Sequence, residues 1–309
     1  MVPPNRRLHA VTTQLTASAS VGRRAAASAG AARTAPCAGA AGYVASALGG
    51  AAVAWAAAVL RNGRGSGQVE SPTTEAATTD PNVVTTLDQL REILPVRGSN
   101  GQGVEDAPKV LRHLDEQMKG FIGRSPFLQL GTADSEGLPY VSPKGDHPGF
   151  VMVVDPQTLV IPDRPGNNIL MGLQNILDNP RCGICFEIPG NDTTLRVGGF
   201  ATLRKDPELL RLLSARGIDA TMAIQLKVDY AFFHCAKAYL RSRLWEPASW
   251  DAELYEVSFG QYFSGDETEV EEIDARVRDT YAMVRKAVDG VAVEEYPPVT
   301  VVEEGTDDP

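Results

Sequence analysis

The sequence predicts a mainly β fold (β+α): a small antiparallel barrel of six to seven strands with helices at its rim. Three observations carry this. From Phe127 onward, short apolar runs recur between turn residues. Several runs are joined by turns of two or three residues, whereas parallel strands need a crossover of a dozen or more. The segment TMAIQLKVDYAFF, from Thr221, alternates cleanly: Ile224, Leu226 and Val228 fall on one face, Gln225, Lys227 and Asp229 on the other.

In chain order, a helix is expected from an Asp106 cap, with Val110, Leu111, Leu114, Met118 and Phe121 at helical spacing and Gly120 and Gly123 ending it. FLQLGTAD then meets LPYVSP across Ser135, Glu136 and Gly137, and FVMVVD meets TLVIPD across Pro156 and Gln157. After TLVIPD a Pro/Gly turn opens a helix with Ile169, Leu173, Ile176 and Leu177 on one face, capped by Asn167 or Asn168. RCGICFEIP and TTLRVGGFATLRK follow as strands, and Gly198 and Gly199 mark a bend or bulge. A short helix, PELLRLLSAR, begins after Asp206 and precedes the alternating strand.

The ends differ in composition from this core. The first 69 residues hold no Asp, Glu or Lys but seven Arg, the make-up of an organelle transit peptide for chloroplast or mitochondrion. Because the whole chain has 29 basic and 39 acidic residues, the remainder keeps 22 basic ones and a net charge of -17. Residues 36–60 carry no charge and are long enough to span a bilayer, yet Ala and Gly dominate them, so a removable leader is favoured over a membrane anchor. Residues 70–105 read as a linker rich in Gly, Ser, Thr and Pro with one brief helix near Leu87 to Leu94, and residues 106–250 as the folded domain. The segment 251–309 contains an amphipathic helix and has 17 acidic against four basic residues, which excludes a nucleic-acid surface there.

The chemistry gathers around the strand, turn and helix of TLVIPDRPGNN. A helix N-terminus beside Arg164 makes an anion cradle, one that suits a phosphate. Cys182 and Cys185 spell C-x-x-C, but on a strand residues three apart point to opposite faces, so neither a disulfide nor a metal site is expected. His147 reads as a loop residue, Asp146 as a bonder of its own turn, and Asp163 either likewise or as an anchor for Arg164. A second basic cluster, His234, Cys235, Lys237, Arg241, Arg243 and Trp245, follows the last strand.

The segments SPFLQLGTAD, VSPKGDHPGFV, LVIPDRPGNN, NILDNPR, TLRVGGFA and FFHCAKAYLRSRLWEPASW, in order between Pro108 and Trp250, resemble the FMN-binding split barrel of the pyridoxamine 5′-phosphate oxidase superfamily. The likeness is to a branch of FMN-dependent proteins without assigned substrate. It implies a homodimeric FMN-dependent oxidoreductase acting on a small molecule, with FMN in clefts between subunits. It places the phosphate at Ser142, Lys144, Arg164, Asn167 and Asn168, with Arg196, Lys237, Arg241, Arg243 and Trp245 towards the ring and the interface. Ile169 stands where relatives in the branch often carry Arg, which removes one phosphate contact. The alternatives are a haem- or deazaflavin-binding barrel, with His234 the residue to watch, and a non-enzymatic binding or regulatory protein that has lost the cofactor.

Overall fold

Seven strands form one antiparallel sheet in the computed structural model, which describes residues 82–94, 109–164, 169–215, 219–253, 255–264 and 266–289. They are β1 (Phe127–Ala133), β2 (Pro139–Gly145), β3 (Met152–Asp155), β4 (Thr158–Asp163), β5 (Arg181–Ile188), β6 (Asn191–Arg204) and β7 (Met222–His234), in the spatial order β2-β1-β5-β6-β7-β4-β3. The sheet is a barrel left open between β2 and β3, a split barrel. The short turns behave as the sequence predicts: β1 pairs with β2 and β3 with β4, both antiparallel.

Alternation builds the interior. Leu128 and Leu130 of β1, Ile184 and Phe186 of β5, and Leu195 and Val197 of β6 meet Leu159 and Ile161 of β4 in one buried cluster. The predicted bulge is present, and the extra residue belongs to β7: Gly198 and Gly199 oppose Tyr230 and Val228, so Asp229 has no counterpart. This changes the parity of β7. Ile224, Leu226 and Val228 face inward before the bulge, and Ala231 and Phe233 after it. Tyr230, Phe232 and His234 therefore line up on the outer face, with Phe232 in ring contact with both neighbours.

A helix closes one end of the core. It begins later than the sequence predicts: α1 spans Leu87–Ile93 in a separate compact unit and carries a Thr86 and Gln89 capping box, and α2 spans Glu116–Ile122, capped by Asp115, whose side chain accepts from Met118 N at 2.8 Å. Leu111 instead forms a backbone bridge to Ala231, which removes it from helical geometry. The expected cap Asp106 lies outside the described residues. Phe121 reaches from α2 to Phe233, ring edge to face, with centroids 5.6 Å apart.

Helix α3 (Met171–Asp178) also starts late. Its N-cap is Leu170, in a left-handed conformation at φ 59 and without a capping side chain. Leu173 and Ile176 are buried as predicted, while Ile169 and Leu177 are exposed. Buried Asn175 donates to Thr132 Oγ1 at 3.1 Å. Helix α4 (Pro207–Leu212) follows Asp206 as expected and covers the outer side of β4 with Leu209 against Val160. Covered on both faces, β4 is buried throughout, which is why TLVIP reads as an unbroken apolar run. Helix α5 (Lys237–Ser242), a 3-10 turn (Pro247–Ser249), α6 (Phe259–Phe263) and α7 (Glu267–Asp289) complete the described chain. Among the described residues no helix is long and apolar enough to cross a membrane; the uncharged run 36–60 lies outside them.

Candidate functional site

The ends of β2 and β4 converge at one rim of the barrel, and two buried ion pairs sit there. On β2, Lys144 is in register with Leu128, so its side chain lies on the core side of the sheet and runs out towards β4. Its Nζ donates to Asp163 Oδ1 at 2.9 Å, with side chains only 12% and 7% exposed. One residue on, Arg164 donates from Nε to Asp146 Oδ2 at 2.7 Å and from Nη1 to the Leu213 carbonyl at 2.7 Å. The pairing expected between Asp163 and Arg164 is thus exchanged: each cation takes the carboxylate across the gap.

Asp146 also accepts from the backbone N–H of His147 at 2.9 Å, the turn bond the sequence predicts, and His147 Nδ1 lies 3.4 Å from the same oxygen. Burial pushes the Asp146 carboxyl up, but its bonds from His147 and the Arg164 charge outweigh this and hold it well below the usual carboxylate range. Ser142, two residues before Lys144 on the same face of β2, completes the donors described at this rim. Asn167 and Asn168 lie outside the described residues.

The other predicted residues stand elsewhere. Arg196 is on the outer face of β6, in register with Cys185 of β5 and Phe232 of β7. Buried Glu187 shares that face, two residues from Cys185, and accepts from Gln129 Nε2 at 3.1 Å. Tyr239 of α5 comes over this group, and its hydroxyl is pushed up to about 12 by burial and by the charges of Glu187 and Cys185. Trp245 stacks on Tyr239, with centroids 6.0 Å apart and planes at 17°. Its buried Nε1 has no hydrogen-bond partner. Lys237 and Arg241 are exposed on α5, and Arg243, left-handed at φ 52, pairs with Glu246 at 2.7 Å. The sequence reading missed Glu187 and Tyr239. The alternation that puts Cys185 and Glu187 on one outward face was the available signal.

Residues 114–235 match the family model described as pyridoxamine 5′-phosphate oxidase. This is a pyridoxamine 5′-phosphate oxidase-like domain. Among solved structures, HupZ of Group A Streptococcus is 19% identical, covering 39% of this chain and 93% of its own, with a TM-score of 0.33. General stress protein 26 of Bacillus anthracis is 15% identical, over 38% and 91% of the two chains, at 0.31. A structure titled F420 reductase is 18% identical, over 39% and 98%, at 0.29. At such identities and scores these three decide nothing about ligand or activity. No curated protein matches the chain.

The rim of the oxidase-like domain suits a phosphate in its donors. Lys144 has three N–H groups and spends one on Asp163, and Arg164 leaves Nη2 outside its two bonds. Among the described residues each cation is already paired with a carboxylate, Lys144 with Asp163 and Arg164 with Asp146. Among the described residues no group of three or more His, Cys, Asp or Glu is placed to hold a metal. The C-x-x-C cysteines are apart as the strand geometry requires: Cys182 packs against the core, where burial pushes its thiol up to about 12, and Cys185 faces outward.

Proposed function

We propose that the barrel binds FMN and that the protein is an FMN-dependent oxidoreductase acting on a small molecule as a homodimer. The observation that carries this is the meeting of Lys144 and Arg164 at one rim, within the residues that match the oxidase family model. When bound, FMN would supply a ring that accepts and returns hydride. Lys144, Ser142 and Arg164 hold the phosphate, joined by Asn167 and Asn168, while Asp163 and Asp146 fix the direction of the two cations. Arg196 lies on the outer face of the sheet, and Lys237, Arg241, Arg243 and Trp245 stand on or just after α5, whose Tyr239 comes over that face. One chain therefore does not present both groups to one flavin, and a homodimer with its clefts between subunits accounts for both. A leader that directs the protein to an organelle belongs to the same reading.

The visible spectrum of the purified protein, before and after incubation with FMN, tests this. Flavin bands are expected, and Lys144→Ala and Arg164→Ala should each weaken FMN binding by about 1.5–3 kcal/mol, the range of a charged hydrogen bond. A Soret band would favour haem. No bound chromophore after reconstitution would favour the second reading, a barrel that keeps the fold without the cofactor. The pairing of both cations with carboxylates and the exposed Ile169 just before α3 support that second reading.

A further inference from the structure

We propose that a second cavity, at the end of the barrel closed by α2, binds a small organic carboxylate with a flat apolar body. Its volume is about 540 Å³. Pockets that take small molecules hold about 300–1,000 Å³. The cavity shares no lining residue with the rim of Lys144 and Arg164, nor with the group around α5, so it stands apart from the FMN reading.

Its apolar part is made by Phe121, Ile188 and Phe233, with the two phenyl rings edge to face. Gly120, inside α2, borders the open space, and a Cβ built there meets nothing within 4 Å. Glycine is a poor residue for the interior of a helix, so helix stability alone favours almost any other residue at this position. Any side chain there would take up part of the cavity.

The polar part comes from two elements. The β5–β6 hairpin, closed by Ile188 opposite Asn191, brings Asn191 and Thr193. Asn191 spends its side-chain oxygen on the Thr193 N–H at 2.9 Å, which leaves its amide donors for solvent or a ligand. Arg124 follows α2, and among the described residues that line the cavity it alone is charged. Its guanidinium makes no ion pair or hydrogen bond among the described residues. The backbone beneath it is fixed: the Arg124 N–H donates to the Phe121 carbonyl at 3.1 Å, and the buried Ser125 hydroxyl donates to the Glu187 carbonyl at 2.6 Å. The result is an anchored cation without a carboxylate of its own, beside an aromatic floor. A guanidinium fork matches a carboxylate, and phenyl rings favour a flat apolar body. One exposed cation holds an inorganic anion weakly, so the ligand that suits this cavity uses both parts.

Ligand-observed NMR titrations of the full-length protein with 1-naphthoate and its neutral isostere 1-naphthamide test this, without FMN and with FMN in excess. Naphthoate should bind with a dissociation constant of about 0.1–1 mM, as expected for a ligand of its size. It should bind about threefold to tenfold more tightly than the amide, and Arg124→Gln should erase that preference. Gly120→Leu, which fills the cavity with a better helix former, should abolish binding of both probes while melting at or above the wild-type temperature. FMN should leave these values unchanged. No binding of naphthoate, or binding that Gly120→Leu leaves intact, overturns the site. Displacement of naphthoate by FMN also overturns it and assigns the probe to the flavin site. Equal affinity for the two probes overturns the choice of a carboxylate. Arg124→Gln, a change at an exposed side chain, keeps the proposal open to refutation even where Gly120→Leu fails to fold.

Discussion

Asp163 shows what a single side chain decides in this barrel. At 5% exposure it is tolerable only because Lys144 reaches it, so Lys144→Met strands a buried carboxylate. A loss of about 3–5 kcal/mol is expected in urea unfolding at neutral pH, with a smaller loss for the charge-free double variant Lys144→Met/Asp163→Asn. Asp146 makes a prediction about pH. Its folded carboxyl lies below its ordinary value, despite burial, because the bonds from His147 and the Arg164 charge prevail. The stability it contributes is therefore present above about pH 4 and is lost as the pH falls below that towards the folded value. Asp146→Asn should unfold earlier than the wild type at pH ~6, and the difference should begin to narrow as the pH falls below ~4; a constant difference would show that the charge is not what matters. Thiol chemistry gives a third check. Cys182, buried with its thiol pushed up to about 12, should resist alkylation of the native protein at mildly alkaline pH, while exposed Cys235 reacts.

The elements were legible in the sequence where period and turn chemistry agree, and obscure where a tertiary contact intervenes. The hairpins of β1 with β2 and of β3 with β4 could be read because alternation and a short turn each fix the register. The start of α2 could not, since the Leu111 backbone pairs with Ala231, more than a hundred positions away. The start of α3 could not either: the Asn pair suggested a cap, and the chain enters the helix through left-handed Leu170. At the candidate site, Lys144 and Arg164 were readable as cations, but the exchange of their carboxylates depends on the curl of the sheet. The bulge was half readable. Glycines opposite it announced a bend, without telling that the extra residue, Asp229, sits on β7. Their roles differ in a testable way. A Cβ on Gly198 would meet the Tyr230 ring, and one on Gly199 the Lys227 backbone carbonyl. Gly198→Ala should cost about 1–3 kcal/mol and be largely rescued by Tyr230→Ala, whereas Gly199→Ala should cost more and gain nothing from it.

At the scale of the molecule, among the described residues, the barrel core draws its buried apolar side chains from residue 114 onward. A chain beginning at residue 109 should accordingly melt cooperatively and at a temperature close to that of the full chain; broad, non-cooperative unfolding by circular dichroism would contradict this. The open slit of the sheet carries a further consequence. Among the described strands, β2 is paired with β1 alone and β3 with β4 alone, so no backbone ladder joins the two edges. The Lys144 to Asp163 contact, from β2 to β4, is a clasp across that slit. A ligand that draws Lys144 away undoes the clasp in the act of binding, and the amides of β2 then exchange with solvent on a clock set by what occupies the rim.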